Sequence, residues 1–241
     1  ASYWNLPVYT RKYHALEFFF EKASENWSMQ GSYTFSKSIG NVEGYVNSTL
    51  NQEDPGLTQE FDYASFQDGT YGYLPNDRRH VLKLFGTYKL TDEWRVGSNL
   101  IIQSGRPRNC QGYVPSSVPD FGSIDGLGGA GSYSSASSFY CLNDAGTSVL
   151  TPRGTLGRTP WATTLNASIA YMPQVFDGKV TLQADIFNLL NSDTVTEYNE
   201  VRDYSRATTN QPTGNKLNPN YGNPTSFQTP RSVRFTVRYE F

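Results

Sequence analysis

Long apolar runs are missing from this chain of 241 residues, and so are methionine, histidine and cysteine beyond two of each. No segment approaches the roughly 18 to 20 apolar residues that a membrane-crossing helix needs, which excludes a helical membrane protein. Two histidines, His14 and His80, and no GxSxG motif leave no place for a nucleophile, base and orienter in one site, so no enzyme is expected. With a net charge of −2 and no basic tract or zinc spacing, nothing points to nucleic acid, a metal centre or a cofactor. The first ten residues have neither a basic nor an apolar region of the kind a signal peptide carries, and the start reads as internal. Hydrophobic residues make up 37% of the chain, too few for a thick Leu/Ile/Val core, while aromatics reach 15%, too many for disorder. Cys110 and Cys141 share one Gly/Ser-rich segment, which suits a single disulfide in an oxidising compartment; a reactive thiol pair or a metal site is the alternative.

What the chain does have is period-two alternation, repeated in about seven segments. The last sets Val233, Phe235, Val237, Tyr239 and Phe241 against Ser232, Arg234, Thr236, Arg238 and Glu240. The same pattern runs through Leu16–Phe18–Phe20, Trp27 to Phe35, His80 to Leu90, Trp94 to Ile102, Trp161 to Tyr171, and Val180 to Ile186. Short links (residues 24–26, 91–93 and 173–178) alternate strictly with long ones, about 39–77, 105–158 and 192–229. A compact soluble domain seldom carries repeated long structureless loops, and an immunoglobulin-like sandwich does not produce this odd-even asymmetry. Outer-membrane barrels do, with short periplasmic turns and long extracellular loops. Phe20, Trp27, Tyr88, Trp94, Tyr171, Phe176, Tyr239 and Phe241 lie at the short-turn end, where they would form one interfacial aromatic girdle. Every backbone polar group within lipid must be paired, so such a sheet must close. Seven strands is an odd number with two open edges, and Pro7 demotes residues 1–10 as an eighth strand. The expected fold is therefore all-β, an antiparallel transmembrane barrel of which this chain supplies about seven strands.

Five segments carry a family resemblance: YTFSKSIGN at 33–41, LPNDRRHVLKLFGTY at 74–88, QSGRP at 103–107, DIFNLLN at 185–191 and FQTPRSVRFTVRYEF at 227–241. They resemble the closing strands of TonB-dependent outer-membrane transporters and are most similar to the Oar-like branch. The resemblance implies a barrel of about 22 strands around a plugged lumen, with residues 1–241 as its C-terminal part and the plug and N-terminal domain lying outside this chain. It further implies a Gram-negative outer-membrane location, the TonB complex as partner through the missing N-terminal part, and the rest of the same barrel, lipid and lipopolysaccharide as neighbours. Val233, Phe235, Val237, Tyr239 and Phe241 resemble the terminal signal read by the barrel assembly machinery. The implied function is energy-coupled uptake of an extracellular ligand, with peptide or protein cargo favoured by the Oar-like loops. The alternative is a non-transporting barrel used in adhesion or as a surface anchor.

Within that frame the long loops are the candidate ligand surface, since exposed loops on a rigid scaffold often bind and tyrosine is an amphipathic contact residue. The candidates are Tyr45, Tyr63, Tyr71, Tyr73, Tyr113, Tyr133, Tyr140, Tyr198 and Tyr204. The competing role for these rings is packing of loop against loop. Glu17, Glu21, Gln30, Arg79, Lys83, Arg95, Asn99, Gln103, Asn166, Asp185, Arg234 and Arg238 are expected on the lumen face as a polar ladder, with Asp185 pairing Arg234. The acidic run Glu53, Asp54, Glu60, Asp62 and Asp68 lacks Ca²⁺-loop spacing and reads as a solvated face, as do Glu197, Glu200 and Asp203 with Arg202 and Arg206.

Overall fold

Alternating residues make strands here because one face can meet lipid and the other water. A computed structural model of the chain describes residues 8–44, 46–49, 59–61, 63–119, 138–176, 179–205 and 216–240. In chain order the strands are β1 (Arg11–Ala23), β2 (Trp27–Gly40), β3 (Gly72–Tyr73), β4 (His80–Lys89), β5 (Trp94–Gln103), β6 (Tyr140–Leu142) and β7 (Ser148–Leu150). They continue with β8 (Ala162–Tyr171), β9 (Val180–Phe187), β10 (Val195–Tyr198), β11 (Asp203–Ser205), β12 (Lys216–Leu217), β13 (Pro224–Phe227) and β14 (Ser232–Tyr239). Short 3-10 turns at Gln59–Phe61, Ala64–Gln67 and Gln174–Phe176 complete the described elements.

Seven long strands form one antiparallel wall in the order β1-β2-β4-β5-β8-β9-β14, with β3 adding briefly to the end of β2. These are the seven segments of alternation. Directly opposed residues share a face, so the register extends the outward set from strand to strand. Phe18 opposes Tyr33, Tyr33 opposes Leu82, and Leu82 opposes Ile102. Ile169 opposes Ala184, and Val233 opposes Ile186. At the short-turn end Trp27 opposes Tyr88, and Trp94 stacks on Tyr171 with ring centroids 4.6 Å apart. On the inward face Asp185 opposes Arg234 and their side chains form an ion pair at 2.9 Å.

Neither outer strand of the wall has a second neighbour among the described residues. Every residue of β1 is exposed, including Phe18 and Phe19, and Phe235 on β14 is 81% exposed. A 13-residue strand with open hydrogen-bonding groups and a run of phenylalanines is a pairing surface, not a finished edge.

Apart from Ala162 at the start of β8, the buried apolar side chains lie elsewhere. Phe66, Leu74, Tyr113, Val114, Val118, Phe139 and Leu142 all come from the connections at the long-loop end. Phe66, Val114 and Val118 form a small core with Tyr63 and Tyr140 packed on it. The short β6-β7 hairpin and two antiparallel strand pairs, β10-β13 and β11-β12, brace this cap.

Candidate functional site

The cap joins three long connections, after β2, β5 and β9, into one body, and charge carries much of the joining. Arg153, 1% exposed, comes from the second connection and reaches into the first. Its Nε donates to the Thr70 carbonyl at 2.6 Å, its Nη1 to Glu43 at 2.8 Å and its Nη2 to Glu60 at 3.1 Å. The guanidinium also lies over the Phe139 ring, 4.7 Å from its centroid. A buried ion is tolerated only when its donors are satisfied, and the planar fork of arginine meets two carboxylates and a carbonyl at once. Burial raises the Glu60 carboxyl above its ordinary range, against the pull of Arg153.

The third connection holds the second through Glu200 and Asp203. Glu200 pairs with Arg106 at 3.1 Å and accepts from the Asn109 backbone N–H at 3.0 Å. Asp203 accepts from the backbone N–H groups of Tyr113 and Leu142 at 3.0 and 3.1 Å. These two carboxylates are 1% and 2% exposed, so the expectation of surface charge at Glu200 and Asp203 is corrected. They do the work of a missing backbone partner, accepting from N–H groups that no strand ladder reaches. Burial raises both carboxyls. The expectation of a solvated acidic face is corrected likewise at Glu60; Asp68 accepts from the Tyr140 hydroxyl at 2.6 Å, while Glu53, Asp54 and Asp62 lie outside the described residues.

Cys110 and Cys141 are bonded to each other across 31 positions of sequence, at the place where these contacts converge. Packing there is tight: a Cβ on Gly112 would lie 2.2 Å from the Tyr140 carbonyl oxygen and 2.6 Å from the Asp203 carboxylate. The QSGRP segment starts the second connection under similar constraint, because a Cβ on Gly105 would stand 1.6 Å from the Thr159 carbonyl oxygen. Asp77, with no exposed side-chain surface, is held by Arg158 and by Arg79 and accepts from the Ser38 N–H at 2.6 Å.

The DIFNLLN segment gains a physical role in the cap. Asn188 and Asn191 have φ of 50° and 52°, a left-handed conformation that asparagine tolerates. The buried Asn188 side chain donates to the carbonyls of Ser192 and Thr229 at 2.8 and 2.9 Å and accepts from the Ser192 N–H. It thereby ties the beginning of the third connection to its end, beside β14.

The structure distributes the nine candidate tyrosines between several environments. Tyr63 meets Phe66 edge-on, Tyr113 is buried, and the Tyr140 hydroxyl is engaged by Asp68, so these three pack the cap. Arg108 covers the half-buried Tyr198 at 4.2 Å, and Tyr71 is 52% exposed. Tyr73 opposes Ile39 and lies beneath Lys37, Arg79 and Arg158 on the outward face. Tyr45 and Tyr133 lie outside the described residues, and of Tyr204 only the backbone, in β11, is described. Val233, Phe235, Val237 and Tyr239 form the outward face of β14, whereas Phe241 lies outside the described residues. Arg79 was expected on the inward face. It instead lies against Phe35 and Tyr73, because it precedes β4 and follows Asp77 out of the regular pleat. Sequence pattern contained no signal for Arg153 or Glu43, isolated charges whose partners are distant in the chain.

The described residues contain no grouping of three or more potential metal ligands. His14, on β1 opposite Lys37, stands apart from His80, whose Nδ1 shares a hydrogen bond with the Tyr33 hydroxyl at 2.8 Å. Neither is part of a nucleophilic array.

Comparison with known proteins agrees with this architecture. The chain is 28% identical over 268 aligned positions to the TonB-dependent transporter Oar of Myxococcus xanthus, an alignment covering 98% of this chain and 23% of that protein. Among solved structures it is similar to the outer membrane transporter YddB from Escherichia coli, with a TM-score of 0.54 and 12% identity over 96% of this chain and 25% of that one. It is also similar to the ferripyoverdine receptor of Pseudomonas aeruginosa, with a TM-score of 0.50 and 12% identity over 97% of this chain and 20% of that one. The chain thus spans about a quarter of the length of the proteins it matches. These relatives are transporters and receptors, not enzymes. A family model for the outer membrane beta barrel domain matches residues 5–235, and the chain belongs to that family, a barrel wall of the Gram-negative outer membrane.

Proposed function

We propose that this chain is the closing wall and three-loop cap of a TonB-dependent transporter that takes up an extracellular ligand. The observation that carries the reading is the similarity to a TonB-dependent transporter along 98% of the chain. A wall open at both edges supports the same view, because the rest of the barrel has to complete it. Coupling to the TonB complex would run through a plug that this chain does not contain. Assembly would use the outward residues of β14, offered to the barrel assembly machinery.

A pre-organised cap favours capture, since ordering loops in advance lowers the entropic cost of binding. Among the described residues Tyr71 is the candidate ring most open to solvent, and Tyr198 with Arg108 offers a second contact. Peptide or protein cargo suits such a surface. The test uses the full-length transporter in cells with and without TonB, given an isotope-labelled peptide digest. Uptake that requires TonB and falls several-fold in Tyr71→Ala is the expected result. Equal accumulation in cells lacking TonB would refute the transport reading, and unchanged uptake in Tyr71→Ala would refute the assigned surface.

A further inference from the structure

The β6-β7 hairpin of the cap is closed along one edge and open along the other. Backbone bonds from the Asn143 N–H to Thr147 and from the Thr151 N–H to Phe139 fix the alternation of its ladder. Val149 therefore exchanges its N–H and C=O with Cys141, while Ser148 and Leu150 turn theirs away from β6. On the far side of β6 the equivalent groups are met. The Leu142 N–H donates to Asp203 at 3.1 Å, its carbonyl accepts from Arg202 Nε, and the Tyr140 N–H donates to Ser138 Oγ at 3.3 Å. On β7 the outward N–H and C=O of Ser148 and of Leu150 have no partner among the described residues. Elsewhere in the cap Glu200, Asp203, Arg153 and Asn188 each satisfy a stray backbone group, so four open ones along a single edge are an exception.

The edge is also unprotected. Natural edge strands carry lysine, proline or a bulge that turns a further strand away. Ser148, Val149 and Leu150 have none of these, and Val149 and Leu150 are 40% and 46% exposed on opposite faces of the strand. The strand is held extended in advance. At its start the Asn143 side chain accepts from the Ala145 and Thr147 N–H groups at 3.0 and 2.9 Å, around Gly146 with its φ of 75°. At its end the Thr151 N–H donates back to Phe139, and the Arg153 N–H donates to the Gly69 carbonyl at 2.8 Å. Behind it Cys141, opposite Val149, carries the disulfide to Cys110. Leu150 abuts Gly69, where an added Cβ would lie 3.1 Å from its Cδ1, and Gly69 is two positions from Tyr71. The open edge thus continues the surface assigned to the ligand.

We infer that β7 receives an extended segment of peptide or protein cargo as an added strand, paired through the outward N–H and C=O groups of Ser148 and Leu150. Main-chain bonds supply the affinity with little demand on sequence, and Val149 and Leu150 favour apolar side chains at the matching positions of the added strand. A glycan or a metal chelate lacks the alternating donors and acceptors that such an edge requires. Because β7 is already ordered, the cargo segment alone loses conformational freedom on pairing. The inference rests on the reading of the cap as the surface that takes peptide or protein cargo, and it adds which part of the cargo is recognised, its backbone.

The full-length protein in detergent is titrated with a fluorescent heptapeptide of alternating valine and threonine, and with a copy N-methylated at every internal amide. Anisotropy reads binding, and hydrogen exchange at the Ser148 and Leu150 amides reads its place. The peptide should slow exchange at both amides at least about tenfold, and the methylated copy, which has no backbone donors, should leave it unchanged. Leu150→Pro removes an outward donor and no internal bond, a change an edge strand tolerates, and should weaken binding at least about tenfold. Leu150→Ala keeps the donor and should stay within about threefold. Ser148→Pro replaces Leu150→Pro if that variant fails to fold, and protection of residues 63–73 verifies the cap in either. Slow exchange at the two amides before peptide is added means the edge is already occupied and overturns the inference. So do absence of peptide binding, equal binding of the methylated copy, and unchanged binding in the folded proline variant. TonB takes no part in this assay, so its failure is distinct from failure of the transport reading.

Discussion

Arg153 offers the sharpest test of whether the cap is one body. In Arg153→Met the side-chain stem still covers Phe139, but the Thr70 carbonyl loses its donor and Glu43 and Glu60 are left facing one another without a cation. Removing one partner of a buried pair costs about 3 to 5 kcal/mol, because the remaining charge is still desolvated. Protonation of Glu60 relieves part of this, placing the cost near the lower figure. At about 1.4 kcal/mol per factor of ten, opening of the cap becomes roughly 100-fold more frequent or greater. Hydrogen exchange of the full-length protein reads this directly, in peptides from residues 63–73 and 138–154 against a β5 peptide from the wall. The cap peptides should exchange roughly 100-fold faster while the wall peptide is unchanged. Adding Glu60→Gln to Arg153→Met should recover part of the protection by removing a buried charge. Less than about tenfold acceleration, or equal acceleration in β5, would refute the argument that Arg153 locks the loops independently of the wall.

Three further perturbations address other links in the same body. Asn188→Ala removes two donated hydrogen bonds and one accepted one and leaves a left-handed backbone without a residue that tolerates it; a loss of about 2 to 4 kcal/mol is expected, visible as faster exchange at residues 189–195 and 226–231. Cys110→Ser/Cys141→Ser releases a loop closed across 31 positions, for which chain entropy predicts roughly 3 to 4 kcal/mol; limited proteolysis should then cut the second connection first, with the barrel band intact on gels. The third concerns pH. Burial raises Glu60, Glu200 and Asp203, so the closed cap holds their protons more tightly than an opened one. Cap stability should therefore rise as pH falls from neutral through the raised values, with no further gain from these groups below the ordinary carboxylate range. Loop proteolysis at pH 5.5 that is as fast as at pH 7.5, after correction with an unfolded substrate, would contradict this.

The wall was legible in the sequence because its determinant is local and periodic. Alternation alone marked all seven staves, and side-by-side registration followed, including the inward Asp185–Arg234 pair. The cap was not legible, since its determinants are pairwise and distant: Arg153 and Glu43 are 110 positions apart, and Asn109 and Glu200 are 91. Glu200 and Asp203 looked like solvated charge because composition carries no record of backbone donors waiting elsewhere. The tyrosines were visible as a class, yet only the fold separates Tyr140, bound to Asp68, from the open ring of Tyr71. Motifs fell between these cases. DIFNLLN and QSGRP marked the family, while Asn188 and Gly105 supply the physical need: a left-handed corner in one and an approach too close for a side chain in the other.

The wall and the cap also invert the usual relation between burial and polarity. Wall residues such as Phe18, Phe235 and Val237 are exposed because their solvent is lipid, and hydrocarbon provides no drive to bury them against one another. Wall stability therefore rests on backbone pairing, and each open edge requires a neighbour from the remainder of the barrel. The cap stands in water and carries the buried apolar cluster, the disulfide and the ion pairs that a small soluble domain uses. Changes in the cap should consequently alter the stability of the loops without altering whether the barrel inserts, whereas a proline placed in β4 or β5 should abolish insertion and leave no cap to assay.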